Sequence, residues 1–582
     1  MIARGRSAQA PSPRRRLLPP PLTDPRWYWL IGPAGVVAFL LGFWGYLSYE
    51  PEKDVHHSFS DAVYGSFKLF FLHAAPQPES HVGIVLDTAR YLAPIVAGWA
   101  GIIALFGLLR HRWQQMLVPL RRDHVVVCGL GYVGFEFVRQ LTDARRRVIV
   151  VEADANNPRI EACREMGVPV IVGDAQLEST LESAAAKRAE RLLAVTPDSV
   201  VNTEIVNRAT HLARGRQRLQ CLARVANPSL CISLRIEESN RGADQTALDF
   251  FSTDELGARL LLDRYPFDAV RQPHIAVAHL DSLGCELVLQ AARIWNDRRT
   301  DSWAPLRVTV IDDEADKRLA ALQDEHPALE QICTFFACSP SVRGLTRLTE
   351  GGAAITYAYV TAQHDEQAVE TALKLRHALD RAVPVVTALW RAYGVADLLE
   401  NLTSQRGANL AVVRMLQETC TVELVEGGSF EAIAHEIHRR YRLMQPDGGR
   451  DVPEWSDLDE ALKKSNRAQA RHIGVKLRSI GCEIAPLRDW QARDFTFTAA
   501  ELEKLSIMEH DRWAQEKMDA GVKTDPHFVP WHELPKEIAE WDTNFVRAIP
   551  AMLAAVGLQI VDVNESAPRY PVVAAADIAA SN

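Results

Sequence analysis

Residues 124–141 read HVVVCGLGYVGFEFVRQL, and the reading of this stretch decides the fold. A β-branched run, Val125 to Val127, leads into Gly129, Gly131 and Gly134, and an amphipathic helical pattern follows at once. Strand, glycine turn and helix in that order are what a dinucleotide-binding fingerprint requires. The first glycine makes the tight turn, the second lets backbone approach a phosphate, and the third packs helix on sheet. The opening helical residues, Tyr132 and Val133, then offer amide donors and the positive end of the helix dipole.

Working outward, RVIVVEAD (147–154) is the next strand, and it closes on Glu152, where a carboxylate can take ribose hydroxyls. VPVIVGDA (168–175) ends a third strand at Asp174 and Ala175, and RLLAVTP (191–197) ends a fourth at Thr196. With LQCLARV (219–225) the pattern gives five parallel strands whose carboxyl ends share one crevice. A Rossmann fold with an empty, structural crevice is the competing reading. The alternation then repeats, with HIAVAHLDSLGCELVLQAARIW (274–295), LRVTVIDDE (306–314), CTFFACS (333–339), ITYAYVT (355–361) and VPVVTAL (383–389). In this second round only Gly284 of the turn remains, and Asp281 would repel a pyrophosphate. Asp312 and Asp313 still close its second strand. The second unit is therefore expected to be structural, packing against the first as a pseudo-dimer.

The stretch 124–210 resembles the TrkA-N or RCK family, which regulates potassium transport and binds NAD(H) or other adenine nucleotides. The resemblance rests on CGLGYVGFEFVRQL, VIVVEAD, VIVGDA and LLAVTPD. It implies a nucleotide site at Gly129, Gly131, Gly134, Glu152 and Asp174, and a paired, homo-oligomeric assembly.

Upstream, WYWLIGPAGVVAFLLGFWGYLSY (27–49) carries no charge and YLAPIVAGWAGIIALFGLL (91–109) is followed by Arg110, His111 and Arg112. At 1.5 Å per residue both reach roughly the ~30 Å of a hydrocarbon layer. Arginines precede the first and follow the second, so both ends are expected on the cytoplasmic side of a bacterial inner membrane. Between them, Ser58 to Phe67 resembles the pore helix of two-span potassium channels, with Ser58 or Ser60 as its cap. The glycine-rich filter of such channels is missing, however, and Lys68 sits in the helix while Leu72 to Pro78 follows. Potassium selectivity is not implied. A plain membrane anchor is the alternative to a pathway.

At the other end, Leu505, Glu509, His510, Asp511, Arg512, Trp513, Lys517 and Gly521, followed by HFVPWHELP (527–535), resemble the RyR repeat of ryanodine receptors. The resemblance implies a small α-helical domain. His510, Arg512, Trp513, Lys517 and Trp531, joined by Trp541, then form an aromatic, basic pocket for a phosphorylated ligand. The bland alternative makes the tryptophans the core of a small domain. The Trp455 and Ser465–Ala470 stretch resembles the segment that precedes such domains in bacteria.

Composition closes other doors. A net charge of −9 argues against nucleic acid as a partner. Nine scattered cysteines with no CxxC pair point to reduced thiols, and neither a zinc motif nor a catalytic nucleophile–base pair is present. The chain thus reads as a basic arm (1–26), a two-helix transmembrane hairpin (27–120), tandem α/β Rossmann-like (RCK) units (121–268 and 269–424), a helical connector (425–495), an RyR-like domain (496–563) and a tail (564–582). The expected function is that of a membrane-embedded, nucleotide-regulated transducer, homo-oligomeric with fourfold symmetry if it conducts and twofold if it only anchors. The domain mixture also resembles bacterial proteins that sense nucleotide signals in antiviral conflict. The alternatives are a membrane-anchored NAD(P)-dependent oxidoreductase and a membrane-tethered scaffold for a protein partner.

Overall fold

The computed structural model describes residues 26–48, 58–71, 83–118, 121–213, 219–241, 247–267, 273–298, 304–341, 343–346, 354–391, 394–399, 409–428, 430–445, 452–563 and 569. The arm up to residue 25, the 72–78 stretch in the filter position and nearly all of the tail lie outside them. The chain divides into two compact units, residues 1–117 and 118–582.

In the first unit, helices α1 (Arg26–Leu47), α2 (Phe59–Phe70) and α3 (Ile84–Leu117) pack on one another. The second apolar segment is longer than the sequence suggested, because helical residues continue on both sides of 91–109. Of these helices, Ile84–Leu105 is long and apolar enough to cross a membrane, while the apolar part of α1, Ile31–Leu47, is shorter. Close packing is made possible by small residues: a Cβ on Gly45 would stand 2.7 Å from the Cβ of Leu86. Ser58 caps α2, accepting from the Asp61 amide at 3.2 Å while Asp61 accepts from the Ser58 amide at 3.2 Å. Lys68 folds its ammonium over the Tyr64 ring, 4.4 Å from the centroid. Outside a small core of Ala38, Tyr46, Ala62, Leu69, Leu86, Ala89 and Ala93, much of the bundle surface is apolar: Val36, Leu40, Trp44, Phe67 and Ile95 all face outward.

The second unit holds two parallel sheets. In the first, strands β1 (Val125–Cys128), β2 (Val148–Glu152), β3 (Val170–Val172), β4 (Arg191–Ala194), β5 (Gln220–Arg224) and β6 (Ala247–Phe251) stand in the order β3-β2-β1-β4-β5-β6. The second repeats it with β7 (His274–Ala278), β8 (Leu306–Ile311), β9 (Cys333–Cys338), β10 (Tyr357–Val360), β11 (Val385–Leu389) and β12 (Leu410–Arg414), ordered β12-β11-β10-β7-β8-β9. Five strands per sheet were expected, and each has a sixth. Both extra strands lie at a sheet edge, where one flank is unpaired and the apolar signal is short; β6 even carries Asp249 in its middle.

The two sheets exchange helices. The helix Thr253–Arg264, which follows β6, puts Ala258, Leu261 and Leu262 into the core of the second sheet. After β12 the chain returns the favour, setting Leu416, Cys420, Leu424 and Val425 against Phe137 and Leu141 of the first. The pseudo-dimer is thereby sewn together by reciprocal burial of apolar surface, the dominant favourable term in association.

The remaining chain corrects the expectation of a helical connector followed by a separate all-helical domain. Strand β13 (Cys482–Pro486) pairs antiparallel with β14 (Leu558–Asp562), closing residues 430–445 and 452–562 around one core. Ile433, Ile437, Ile473 and Leu477 from the expected connector interleave with Leu505, Val546, Ile549 and Leu553. Neither strand is legible locally, since each is a short run whose partner lies far along the chain. This body is docked on both sheets: Arg478 donates to the Ser239 carbonyl, and Trp490 Nε1 donates to the Ala328 carbonyl at 2.7 Å.

Candidate functional site

The strand order of the first sheet reverses between β1 and β4, and parallel strands put all carboxyl ends on one edge. Ligands of open α/β sheets bind in the crevice outside such a switch point. Gly129 lies there with φ +97°, a left-handed conformation, and a Cβ on it would meet Thr196 Cγ2 at 2.9 Å. Gly134 is more constrained still, for its Cβ would lie 1.9 Å from the Gly129 carbonyl oxygen. Gly131 differs from both: a Cβ there meets nothing within 4 Å. The second glycine is therefore not demanded by packing, and it faces open space at the N-terminus of helix α4 (Tyr132–Asp143).

The other expected residues sit on this edge. Glu152 ends β2, accepting from the Leu130 amide at 2.6 Å and from the Asp154 amide at 2.9 Å. It thus braces the glycine turn and retains lone pairs for a further donor. Asp174, past β3, is exposed and accepts from the Gln176 amide at 2.9 Å. Thr196, past β4, donates to Asn202 Oδ1 at 2.7 Å. Ala175 is buried in the core below the crevice, and Val133 is also buried, leaving only its amide to offer. Sequence reading missed Asn202, which also donates to the Thr196 and Arg224 carbonyls, at 2.9 Å each. It missed Asn157, which donates to the Leu130 carbonyl at 3.1 Å. Both look like ordinary helix-terminal polar residues in the sequence.

The second sheet keeps the scaffold and fills the crevice. Asp312 accepts from the Leu280 amide at 3.0 Å, as Glu152 does from Leu130. A Cβ on Gly284 would stand 2.4 Å from the His279 carbonyl oxygen, matching Gly134. His279 replaces the first glycine and takes φ +67° without one. Asp281 and Asp312 both pair with Arg318, so a carboxylate and a guanidinium of the chain occupy the turn.

In the C-terminal body, the helix Ala499–Asp519 is started by Thr498 with Glu501 as a capping box. His510, Trp513, His527, Phe528 and Trp531 form a linked aromatic group, with ring centroids 5.7–6.4 Å apart. Trp513 and Trp531 are half-buried and neither belongs to the core, while Trp541 faces Tyr441 instead. His510 is buried, its Nε2 3.1 Å from the Val529 carbonyl oxygen. Arg512 is committed elsewhere, paired with Glu509 at 2.7 Å and with Glu516 at 2.5 Å. Lys517 remains half-exposed on the same helix. His438 has Nε2 2.9 Å from the Pro453 carbonyl oxygen, and all nine cysteines are free thiols.

Beneath the aromatic group, Glu509 meets Lys476 at 2.6 Å, with His472 and Asp542 alongside. Burial, reinforced by the Glu509 charge, pushes Asp542 up to about 7. Burial and the Lys476 charge hold His472 down to about 4. The signs oppose. A raised Asp stabilises most at low pH and loses that contribution as pH climbs from 3.8 to about 7. A depressed His costs stability as pH falls from 6.5 to about 4. Asp542→Asn is therefore expected to raise stability at pH 8 by ~1–3 kcal/mol, discounted for partial exposure, with the gain vanishing near pH 4. Calorimetric melting of the purified chain at stepped pH checks it.

Comparison with known proteins places a TrkA-N domain at residues 125–246. An uncharacterized protein of Methanothermus fervidus is 28% identical over 91 residues, which are 16% of this chain and 14% of that protein. Among solved structures, GsuK bound to ADP is 17% identical, covering 69% of this chain and 97% of that one at a TM-score of 0.37. The GsuK channel bound to NAD is 14% identical, covering 82% and 89%, again at 0.37. The TrkA-N domain of the inner membrane protein ybaL from Escherichia coli is 23% identical, covering 25% and 98% at 0.21.

Proposed function

We propose that this chain is a membrane-embedded transducer regulated by an adenine nucleotide, NAD(H) or ADP, held by its TrkA-N domain. One observation carries the reading: Gly131 alone of the three turn glycines faces open space, where a phosphate belongs. The TrkA-N match over 125–246 supports it. Support for membrane embedding comes from the apolar length of Ile84–Leu105 and the outward apolar side chains of α1 and α3. The basic residues flanking the two apolar segments favour a bacterial inner membrane with the bulk of the chain cytoplasmic. A single hairpin cannot enclose a pathway, so the working form is a homo-oligomer, fourfold if it conducts and a dimer if it only anchors.

A ligand need only prefer one arrangement of the tandem sheets; 100-fold shifts the balance by ~2.7 kcal/mol. The C-terminal body is a second sensor in this reading, with Trp513 and Trp531 stacking a base and Lys517 reaching a phosphate. Its RyR resemblance suits a bacterial stress or antiviral effector. The filled crevice of the second sheet favours a sensor over an oxidoreductase, which needs room there for substrate.

The test is ion flux through liposomes bearing the full chain, with and without ADP and NADH. Flux that changes several-fold with nucleotide is expected. No flux under either condition would overturn the conducting form, and NADH oxidation would turn the reading to an enzyme.

A further inference from the structure

At the mouth of the crevice, Tyr132 is 48% exposed and two guanidiniums lie over its ring. Arg159 stands 4.0 Å from the centroid and opens helix α5 (Arg159–Glu165), just past β2 of the same sheet. Arg391 stands 4.4 Å away and comes from the other sheet, two residues past β11. Among the described residues neither guanidinium has a carboxylate partner. Two like charges share one ring beside a turn whose backbone is open to an anion.

The backbone behind Arg391 is fixed. Its amide and that of Trp390 both donate to the Asp365 carboxylate at 2.7 Å. Trp390 packs against the apolar cores of both sheets. The side chain of Arg391 can therefore swing while its origin stays tied to the seam. A cation resting on an exposed ring gains little, whereas a guanidinium on a phosphate forms charge-assisted hydrogen bonds.

We propose that Arg391 is a phosphate ligand in trans to the sheet that binds the nucleotide. It leaves Tyr132 to take the outer phosphate of a nucleoside diphosphate seated on the glycine turn, so occupancy of the first sheet is felt directly by the second. The inference rests on the nucleotide reading above and adds what that reading lacks, a contact joining ligand to the seam.

The experiment is calorimetric titration of the full chain in detergent with ADP, for the parent and Arg391→Ala, at low and high potassium chloride. ADP affinity is expected to fall at least 10-fold in the variant, with the gap narrowing at high salt because a charge contact is screened. The melting temperature without ligand should be unchanged. Parental affinity in Arg391→Ala, or a gap that salt does not alter, would overturn the Arg391 contact and leave the nucleotide site standing. Failure of the parent itself to bind ADP would overturn this contact with a nucleoside diphosphate, and failure to bind NADH as well would overturn the nucleotide reading.

Discussion

Gly131→Asp is expected to abolish ADP binding, weakening it more than 100-fold, in a chain that folds as well as the parent. The position lets these effects separate. Gly131 has φ −70°, which any residue adopts, and a Cβ there touches nothing. It is also the residue that caps helix α4, and it makes no side-chain capping bond. An aspartate suits a helix N-cap well, so the introduced carboxylate would take the free amides of the first turn. Those amides are the ones a phosphate would use. The substitution is then expected to raise stability by only about 0.3 kcal/mol, since glycine is itself a tolerated N-cap, while blocking the anion site with a like charge. Titration calorimetry reads the first effect and thermal melting the second. Undiminished ADP affinity in a folded variant would remove the glycine turn as the site.

Much of this was legible because the decisive information is local. The turn Gly129–Gly134 and the acidic end of β2 lie within one strand-turn-helix-strand unit, and their placement at one sheet edge follows from spacing alone. The filled crevice of the second sheet was half legible. Asp281 announced that phosphate would be repelled, but Arg318, which neutralises it, lies on another helix with no spacing rule to link them. Arg512, expected to reach a phosphate, is paired with Glu509 and Glu516, and that pairing is legible too: they lie three before and four after it, where helical side chains meet. Edge strands β6 and β12, the β13–β14 pair and the Arg391–Tyr132 contact depend on partners brought in by the tertiary fold. No periodicity within a short window can report them.

The same distinction governs the largest expected effect on stability, at Lys476 and Glu509. Their side chains are 0% and 1% exposed and meet at 2.6 Å, joining the helix Glu460–Ser479 to the helix Ala499–Asp519 inside one core. Glu509 also accepts from Arg512 at 2.7 Å and from Gln469 at 2.9 Å. Burial alone would push the Glu509 carboxyl up, yet Lys476 and Arg512 outweigh it and hold it below the ordinary range. Lys476 is lowered, because burial wins over an anion it shares with Arg512. Glu509 faces two cations, Lys476 and Arg512, and Arg512 keeps Glu516 as a second partner, so the two deletions are unequal. Lys476→Met leaves Glu509 still paired with Arg512, and a loss near ~3 kcal/mol is expected, the low end for breaking a buried pair. Glu509→Gln strands a buried ammonium beside a guanidinium, and ~4–5 kcal/mol is expected. Removing both by Lys476→Met with Glu509→Gln should cost less than the sum of the single changes, with a coupling of ~1–3 kcal/mol. Chemical denaturation of the purified chain, followed by tryptophan fluorescence, measures all three. Additive losses would mean that the pair is not a pair in solution, and that these two helices are held together by their apolar core alone.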